Sequence, residues 1–383
     1  WTAGEYAPAV DGHQVYFGAS FDDVNEGLAE VRRAVTSDPV FDTATLPFTL
    51  DFETTYYWRV DEANDATGWD TGQTWSFTTE PVGYPIAEVT ATASSSFVDK
   101  DMTPDKTVDG SGLNANDEHG VENETIWATT LGLPAPAWIQ YEFDKVYKLH
   151  EMWVWNANQD VEAFIGIGAK DVTVEYSLDG TDWTLLGDVQ IPQASGKPDY
   201  KPEKDEAVAF DGAEAKFVRL TIQNNWGGFL QQFGLSEVRF FHVPVRAREP
   251  QPAAGATGVG MDSSLSWRAG REAVVHEFYL STDEQAVVEA SAPVQTVSDP
   301  RYEPALNLGT TYYWKVNEVN EAADPSVWQG DVWTFSTVDH LVVDDFESYN
   351  AAEDQGTRVY EVWVDGFDDQ DNGSIVGYDE AVQ

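Results

Sequence analysis

The stretch TTYYWRVDEAN runs from Thr54 to Asn64, and TTYYWKVNEVN runs from Thr310 to Asn320. Thr, Tyr, Trp and Val favour the pleated, half-buried surface of a strand, so the chain commits twice to the same extended segment. The surroundings repeat as well. Each copy follows an apolar entry and a turn, and each leads to a second strand-like run ending in Trp-x-Phe, at Trp75 and Phe77 and again at Trp333 and Phe335. Upstream, WTAGEYAPAVDGHQVYFGAS matches SLSWRAGREAVVHEFYLSTD, with Trp1 against Trp267. The repeated unit is therefore a whole domain of about 80–90 residues, and the first copy lacks an opening strand.

The spacing Leu306-x-Leu308-Gly309-Thr310-x-Tyr312-x-x-x-Val316 resembles the fibronectin type III domain. The resemblance implies a β-sandwich with a tyrosine corner, in which the hydroxyls of Tyr56 and Tyr312 reach back to upstream backbone. Leu308 and Phe52 stand where that family has Pro, and Glu53 stands where the second copy has Gly309. Corner tyrosines are structural, so the simplest role for the repeats is as spacers. A ligand platform of Tyr57, Trp58, Trp69 and Trp75 is the other reading, against the rule that strand aromatics are core.

Composition narrows the functions. The 383 residues suffice for two to four domains. With no cysteine, disulfides and thiolate chemistry are excluded. No apolar run is long enough for a transmembrane helix. The chain opens at Trp1 inside a strand-like stretch, so any leader is expected upstream. Asp and Glu total 67 against 21 Lys and Arg, a formal charge of −46. That surface repels phosphate backbones and anionic lipid, so neither nucleic acid nor a membrane is an expected partner. It suits calcium, a hard cation that takes oxygen ligands, although for most of these acids solubility is reason enough.

The middle of the chain, residues 84–244, reads differently. In KDVTVEYSLDGTDWTLL, Val172, Val174 and Tyr176 alternate and Asp179-Gly180 supplies a hairpin turn. Trp138, Tyr141 and Phe143 also sit in a strand-like run, and no stretch sustains a helical period. Several ordered motifs resemble the discoidin, or coagulation factor 5/8 C-terminal, domain in its family 32 carbohydrate-binding-module branch. They are Val108-Asp109-Gly110, Thr125-x-Trp127, Trp138-Ile139-Gln140, YSLDGTDW, Lys216 to Leu220, and Leu235-Ser236-Glu237-Val238. The resemblance implies a jelly-roll sandwich with sugar-binding loops at one end and a structural calcium. It places the calcium at Asp109, Thr125 and Glu237, with Ser111 able to add an oxygen. The plainer alternative makes Asp109 a turn cap and Glu237 a surface strand residue.

A sugar site stacks an aromatic face on the apolar face of the ring and meets the hydroxyls with polar groups. The loop NNWGGFLQQF offers Trp226 and Phe229 beside two glycines. His119, Asn156, Asn158 and Gln159 are the expected hydroxyl partners. Trp155 and Phe233 are expected in the core, and Trp226 could belong to either class.

From Leu341, HLVVDDFESYN begins a segment that resembles the first strands of a laminin G or concanavalin-like jelly roll, and residues 339–383 are too few to bury a sandwich core alone. Its Asp365–Asp371 tract lacks EF-hand spacing and is expected to be a solvated loop. No metalloprotease, serine-hydrolase or phosphate-loop motif occurs, and chance acid pairs among 67 carboxylates identify no glycosidase. The sequence therefore implies an all-β chain of tandem sandwiches: 1–80, 84–244, 245–338 and a partial jelly roll at 339–383. The implied function is non-catalytic extracellular carbohydrate binding, stabilised by calcium. The alternative is a structural component of a surface layer, adhesin or filament that uses its β-domains for protein–protein contacts.

Overall fold

The computed structural model describes residues 1–64 and 68–341. The partial jelly roll expected at 339–383 lies, beyond Leu341, outside the described residues. The chain divides into two compact units, Trp1–Pro244 and a second beginning at Val245. Among the described residues the three α-helices are short, Phe21–Glu26, Glu162–Ile165 and Glu284–Val288, and the rest of the regular structure is mostly strand.

In the first repeat, Thr55–Asn64 is the central strand. It pairs with His13–Gly18 on one side and with Gly68–Asp70 and Thr74–Thr78 on the other, and Arg32–Thr36 extends the sheet beyond His13–Gly18. This is one sheet, not the sandwich expected over 1–80. The second repeat does form a sandwich. Its larger sheet repeats the first, with Thr311–Val319 between Val275–Ser281 and Trp333–Thr337. A three-stranded sheet of Arg248–Gln251, Leu265–Arg268 and Arg301–Tyr302 completes it. Among the described residues the first repeat has no counterpart of that second sheet.

The tyrosine corners are equivalent. The Tyr56 hydroxyl accepts the Asp51 N–H at 3.0 Å, and the Tyr312 hydroxyl accepts the Asn307 N–H at 2.9 Å. Thr79 and Thr337 each donate at 2.6 Å to the carbonyl of that same upstream residue. Glu53 takes φ 51° where Gly309 has φ 58°, so the first copy holds a left-handed turn without glycine, at some backbone cost. Further in, Gly4 and Gly270 each donate an N–H to a carboxylate, Glu62 and Glu318, that faces a buried histidine, His13 and His276.

The middle sandwich turns on one long strand, Ala137–Asn156. Ala137, Ile139, Tyr141 and Phe143 are buried in its first half, and Leu149, Met152 and Val154 in its second. The odd-numbered alternation of 137–143 breaks after Phe143, and burial resumes at Leu149 and then at the even positions Met152 and Val154, which marks where the strand leaves one layer for the other, since each layer buries one face. The first half joins a sheet with Val89–Ala93, Glu214–Ile222, Asp171–Ser177 and Thr184–Gln190. The second half pairs with Gly234–His242 and Val208–Ala209. Ile139, Tyr141, Phe143, Val174, Leu220 and Phe240 fill the space between the layers. The hairpin turn is held by the Asp179 carboxylate, which accepts the N–H groups of Thr181 and Asp182 at 2.8 and 2.9 Å.

Removing the corner hydroxyl leaves the ring packed and deletes one hydrogen bond. Tyr312→Phe is expected to lower the unfolding free energy of its repeat by about 1 kcal/mol, read by denaturant titration of the full chain. No change, or a loss several times larger, would contradict the corner's assigned weight.

Candidate functional site

Both ends of the long strand lie at one end of the middle sandwich. Ala137 pairs with Ile222, Asn156 pairs with Leu235, and bridges from Gly168 to Gly234 and from Ala169 to Asn225 tie the two sides. The loops 157–170, 191–207 and 223–233, with much of 94–126, therefore meet there.

All four of the expected hydroxyl partners are inside this loop cluster, not on it. Asn158 is fully buried. Its amide nitrogen donates to the carbonyls of His119, Gly120 and Lys197 at 3.0, 2.8 and 2.8 Å, and its oxygen accepts the Gly196 N–H at 2.9 Å. Asn156, also buried, donates to the carbonyls of Ala169 and Pro192, both at 2.7 Å, and accepts the Ala157 N–H. An amide with its capacity spent on backbone has none left for a sugar. The His119 ring is buried against Gly112, where a Cβ would stand 2.0 Å from Nε2. Burial pushes its pKa below the ordinary 6.5, so it stays neutral at physiological pH. Gln159 is also buried and donates to Asn123 Oδ1 at 2.6 Å. In the structure these four residues hold loops.

The aromatic residues divide. Phe229 is 70% exposed. Trp226 is half-buried; its indole N–H donates to the Ile191 carbonyl at 3.0 Å, and the Lys170 ammonium sits 4.9 Å from its ring. The loop around them is braced by local contacts. Asn225 donates to the carbonyls of Leu230 and Gln232 and accepts the Gly228 N–H. At Gly227 a Cβ would come within 2.0 Å of the Ile165 carbonyl oxygen, so only glycine allows this approach. Trp155 and Phe233, expected in the core, are buried.

Phe164 ends the polar loop WNANQDVEAF, a candidate sugar-binding loop by sequence in which this ring does not stand out. It is 81% exposed, on the short helix Glu162–Ile165, and the Gly227 N–H donates to Gly166 at 2.8 Å, holding this helix end against the Phe229 loop. The available signal was an apolar residue two positions before a glycine in a polar loop, much as Phe229 follows Gly227 and Gly228. Glu162 was also unforeseen. It is buried, accepts the N–H groups of Ile167 and Gly168 at 3.1 and 2.9 Å, and burial raises its pKa from 4.5 to about 7.

The proposed cation ligands lie on the flank of the same cluster. Glu237 is 3% exposed and accepts the Gly110 N–H at 3.2 Å. Burial raises its pKa from 4.5 to about 8; Arg239 and the Gly110 hydrogen bond oppose the rise, while Asp109 and Asp117 add to it. The Asp109 carboxylate accepts the Ser111 N–H at 2.8 Å, so it does cap a turn. The Thr125 hydroxyl donates to the Glu122 carbonyl, and Ser111 is exposed. Among the described residues no group of three or more His, Cys, Asp or Glu side chains could hold a metal. A cation here would rest on two carboxylates, with carbonyl oxygens to complete the shell. Burial favours the protonated form of Glu237, and a bound cation would favour its carboxylate, a hard oxygen ligand.

The two raised carboxyls make stability depend on pH. Between 4.5 and their folded values the folded chain holds protons that the unfolded chain has released, so stability falls as pH rises through that window. In calcium-free buffer the unfolding free energy should therefore decline from about pH 5 to 8, with a limiting slope of about 1.4 kcal/mol per pH unit for each group. Glu162→Gln should flatten the part below about pH 7. An unchanged slope in that variant would show that Glu162 ionises freely.

A family model described as the F5/8 type C domain matches residues 90–233. Among solved structures, the chain is similar to a family 32 carbohydrate-binding module from a family 31 glycoside hydrolase of Clostridium perfringens, at 16% identity over 42% of this chain and 95% of that one, with a TM-score of 0.33. It is similar to the family 32 module of NanJ from C. perfringens in complex with galactose, at 16% identity over 42% and 98% of the two chains, with a TM-score of 0.31. A family 89 glycoside hydrolase from that organism matches at 16% identity over 42% of this chain but 15% of its own, with a TM-score of 0.30. No curated protein matches the chain. The middle sandwich, through the match over residues 90–233, is an F5/8 type C, or discoidin, domain.

Proposed function

We propose that the discoidin domain binds carbohydrate, without catalysis, through an aromatic platform at its loop end, and that the chain works outside the cell. The observation that carries the reading is the exposure of Phe229 and Phe164 on two loops hydrogen-bonded to each other and braced by glycines. Burial is the rule for large apolar side chains in a packed domain. Two exposed phenyl rings on rigid neighbouring loops suit the apolar face of a sugar ring. Hydroxyl contacts then come from groups at the loop surface, while Asn156, Asn158 and His119 keep those loops in place. Trp226, half-buried in the same loop as Phe229, has Lys170 over its ring. The acidic surface favours neutral glycans over sulfated ones. No described helix is long and apolar enough to cross a membrane. The flanking repeats, if fibronectin-like as their motifs imply, act as spacers.

Stacking on phenyl rings should carry much of the affinity, because hydrogen bonds to neutral hydroxyls exchange with water and each gains only about 0.5–1.5 kcal/mol. A single site of this kind is expected to bind at about 0.1–1 mM, and retention on a polymer then comes from several modules on one chain. Affinity electrophoresis across neutral polysaccharides provides the test. Phe229→Ala and Phe164→Ala should each reduce retention at least tenfold with the melt unchanged. Trp226→Ala should instead cost about 1–3 kcal/mol of stability, because a half-buried indole and its hydrogen bond are lost. Undiminished retention in the double phenylalanine variant would move the platform elsewhere, and a wild-type chain that no glycan retains would end this reading.

The cation is a separate part of the proposal. Calcium at Glu237 and Asp109, with oxygens from Thr125 and Ser111, would supply the positive charge that the buried carboxylate lacks, and would hold the 109–125 loop against the Gly234–His242 strand. Binding to the folded state alone should raise stability by about 2.7 kcal/mol at a hundredfold excess over Kd. Melts in calcium and in chelator should differ for the wild type and coincide for Glu237→Gln. Coincident wild-type melts would remove calcium from the site.

A further inference from the structure

The two exposed phenyl rings stand on different segments, and one short stretch of chain sets them against each other. Residues 166–168 turn their carbonyls to the segment that carries Phe229. Gly166 accepts the Gly227 N–H at 2.8 Å, Ile167 accepts the Gly234 N–H at 3.0 Å, and Gly168 accepts the Trp226 N–H at 3.3 Å. A Cβ on Gly166 would stand 2.2 Å from the Gly227 nitrogen, so no side chain fits between the two segments here. The donors of the same stretch go to a single side chain. The Glu162 carboxylate accepts the Ile167 N–H through Oε2 at 3.1 Å and the Gly168 N–H through Oε1 at 2.9 Å. Glu162 belongs to the one-turn helix that presents Phe164, and its own carbonyl accepts the Gly166 N–H at 2.9 Å and the Gln193 amide at 3.0 Å. The Phe164 helix, residues 166–168 and the Phe229 loop are therefore joined in series through one buried carboxylate.

The chemistry of this place asks for an ionised acid. A carboxylate is acceptor-only and offers an oxygen to each of two neighbouring N–H groups, whereas a neutral acid or an amide carries hydrogen on one of its two ends and turns a donor toward a donor. The carboxylate also has little room to turn: a Cβ on Gly168 would lie 2.9 Å from Glu162 Oε1 and 2.7 Å from Asn156 Oδ1. Burial and the hydrogen bonds from Gly168, Ile167 and Gln193 govern its charge, with no cation among them. The titratable group that faces it is the Tyr200 phenol of the 191–207 loop, which burial keeps neutral with a pKa of about 12.

We infer that Glu162 is the positioning residue of the glycan platform: its carboxylate holds residues 166–168 against the Phe229 loop and so sets Phe164 beside Phe229, without itself touching the sugar. The inference rests on the phenyl platform proposed above. Protonation and substitution by Gln then act alike, since each removes one acceptor. With the Glu162 pKa at about 7, glycan affinity should rise as pH rises through 7. Stability falls through the same window, so affinity and stability move in opposite directions. A glutamate that served the fold alone would carry both down together.

The test uses the full chain in affinity gels of galactan, arabinoxylan and glucomannan. The ionised fraction falls about tenfold for each pH unit below the pKa, so wild-type binding at pH 6 should be about three- to tenfold weaker than at pH 8.5. Glu162→Gln should bind at the low-pH level throughout and lose that rise, while melting with the wild type near pH 5.5, where both side chains are neutral. A readout without sugar is exchange of the Gly227 amide, which Glu162 does not touch. At pH 8 it should quicken about tenfold in Glu162→Gln, while the amides of Asp171–Ser177 stay as protected as before. Wild-type binding that is flat or falls with pH overturns the inference and leaves the platform standing, and it needs no variant. A Glu162→Gln chain retained as the wild type is, or with unchanged Gly227 exchange, overturns it as well. A wild-type chain that none of the gels retains ends the reading of the platform itself, and this inference with it.

Discussion

Asn158 meets three carbonyls, its two amide hydrogens shared among them, and one N–H with a single side chain, and the loop end of the discoidin domain is positioned through it. The residues it joins, His119 and Gly120, Gly196 and Lys197, come from segments far apart in sequence. Its own N–H donates to Ser236 at the start of the strand that carries Glu237. Loop carbonyls turned inward from two segments would each carry a desolvation penalty of about 1–3 kcal/mol if left unmet. One buried amide meets them together. The cation ligands on one flank and the phenyl rings on the other thus share a support that is itself withdrawn from any ligand.

This arrangement also explains how much of the site could be read from the sequence. Strand alternation is a local signal, so Ile139, Tyr141 and Phe143 announce their burial from spacing alone. Asparagines in a glycine-rich polar loop look alike whether they face solvent or brace the loop. The distinction depends on where distant carbonyls arrive, which spacing does not encode. Asn156 and Asn158 thus read as sugar contacts and prove to be scaffold. Phe229 could be found because two glycines precede it. Phe164 was hidden by its place in a helix of one turn, too short to leave a period.

The buried carboxylates show two solutions to one electrostatic problem. Glu162 receives two backbone N–H groups from the chain just beyond its own helix, Ile167 and Gly168. Glu237 receives one, from Gly110, and lies 3.9 Å from the Arg239 guanidinium, which is committed more closely to Asp117 at 2.6 Å. In both, desolvation outweighs the stabilising contacts and the pKa rises, further for Glu237, where Asp109 and Asp117 add negative charge. A group already supplied with donors gains little from a cation. A group surrounded by other acids gains more, which separates a structural glutamate from a candidate ligand without appeal to its position in any motif.

The repeats separate local from tertiary determinants in the same way. The corner network is rebuilt nearly to the tenth of an ångström in both copies, although only one has a second sheet packed against it. All of its members lie within the central hairpin, from Asp51 to Thr79 and from Asn307 to Thr337. The hydrogen bonds that set the corner therefore need no opposing layer. Burial of Trp-x-Phe does need one, and the same residues are core in one repeat and half open in the other. The rule that strand aromatics are core holds for Trp333 and Phe335 and fails for Trp75 and Phe77, because burial belongs to the sheet and its cover together.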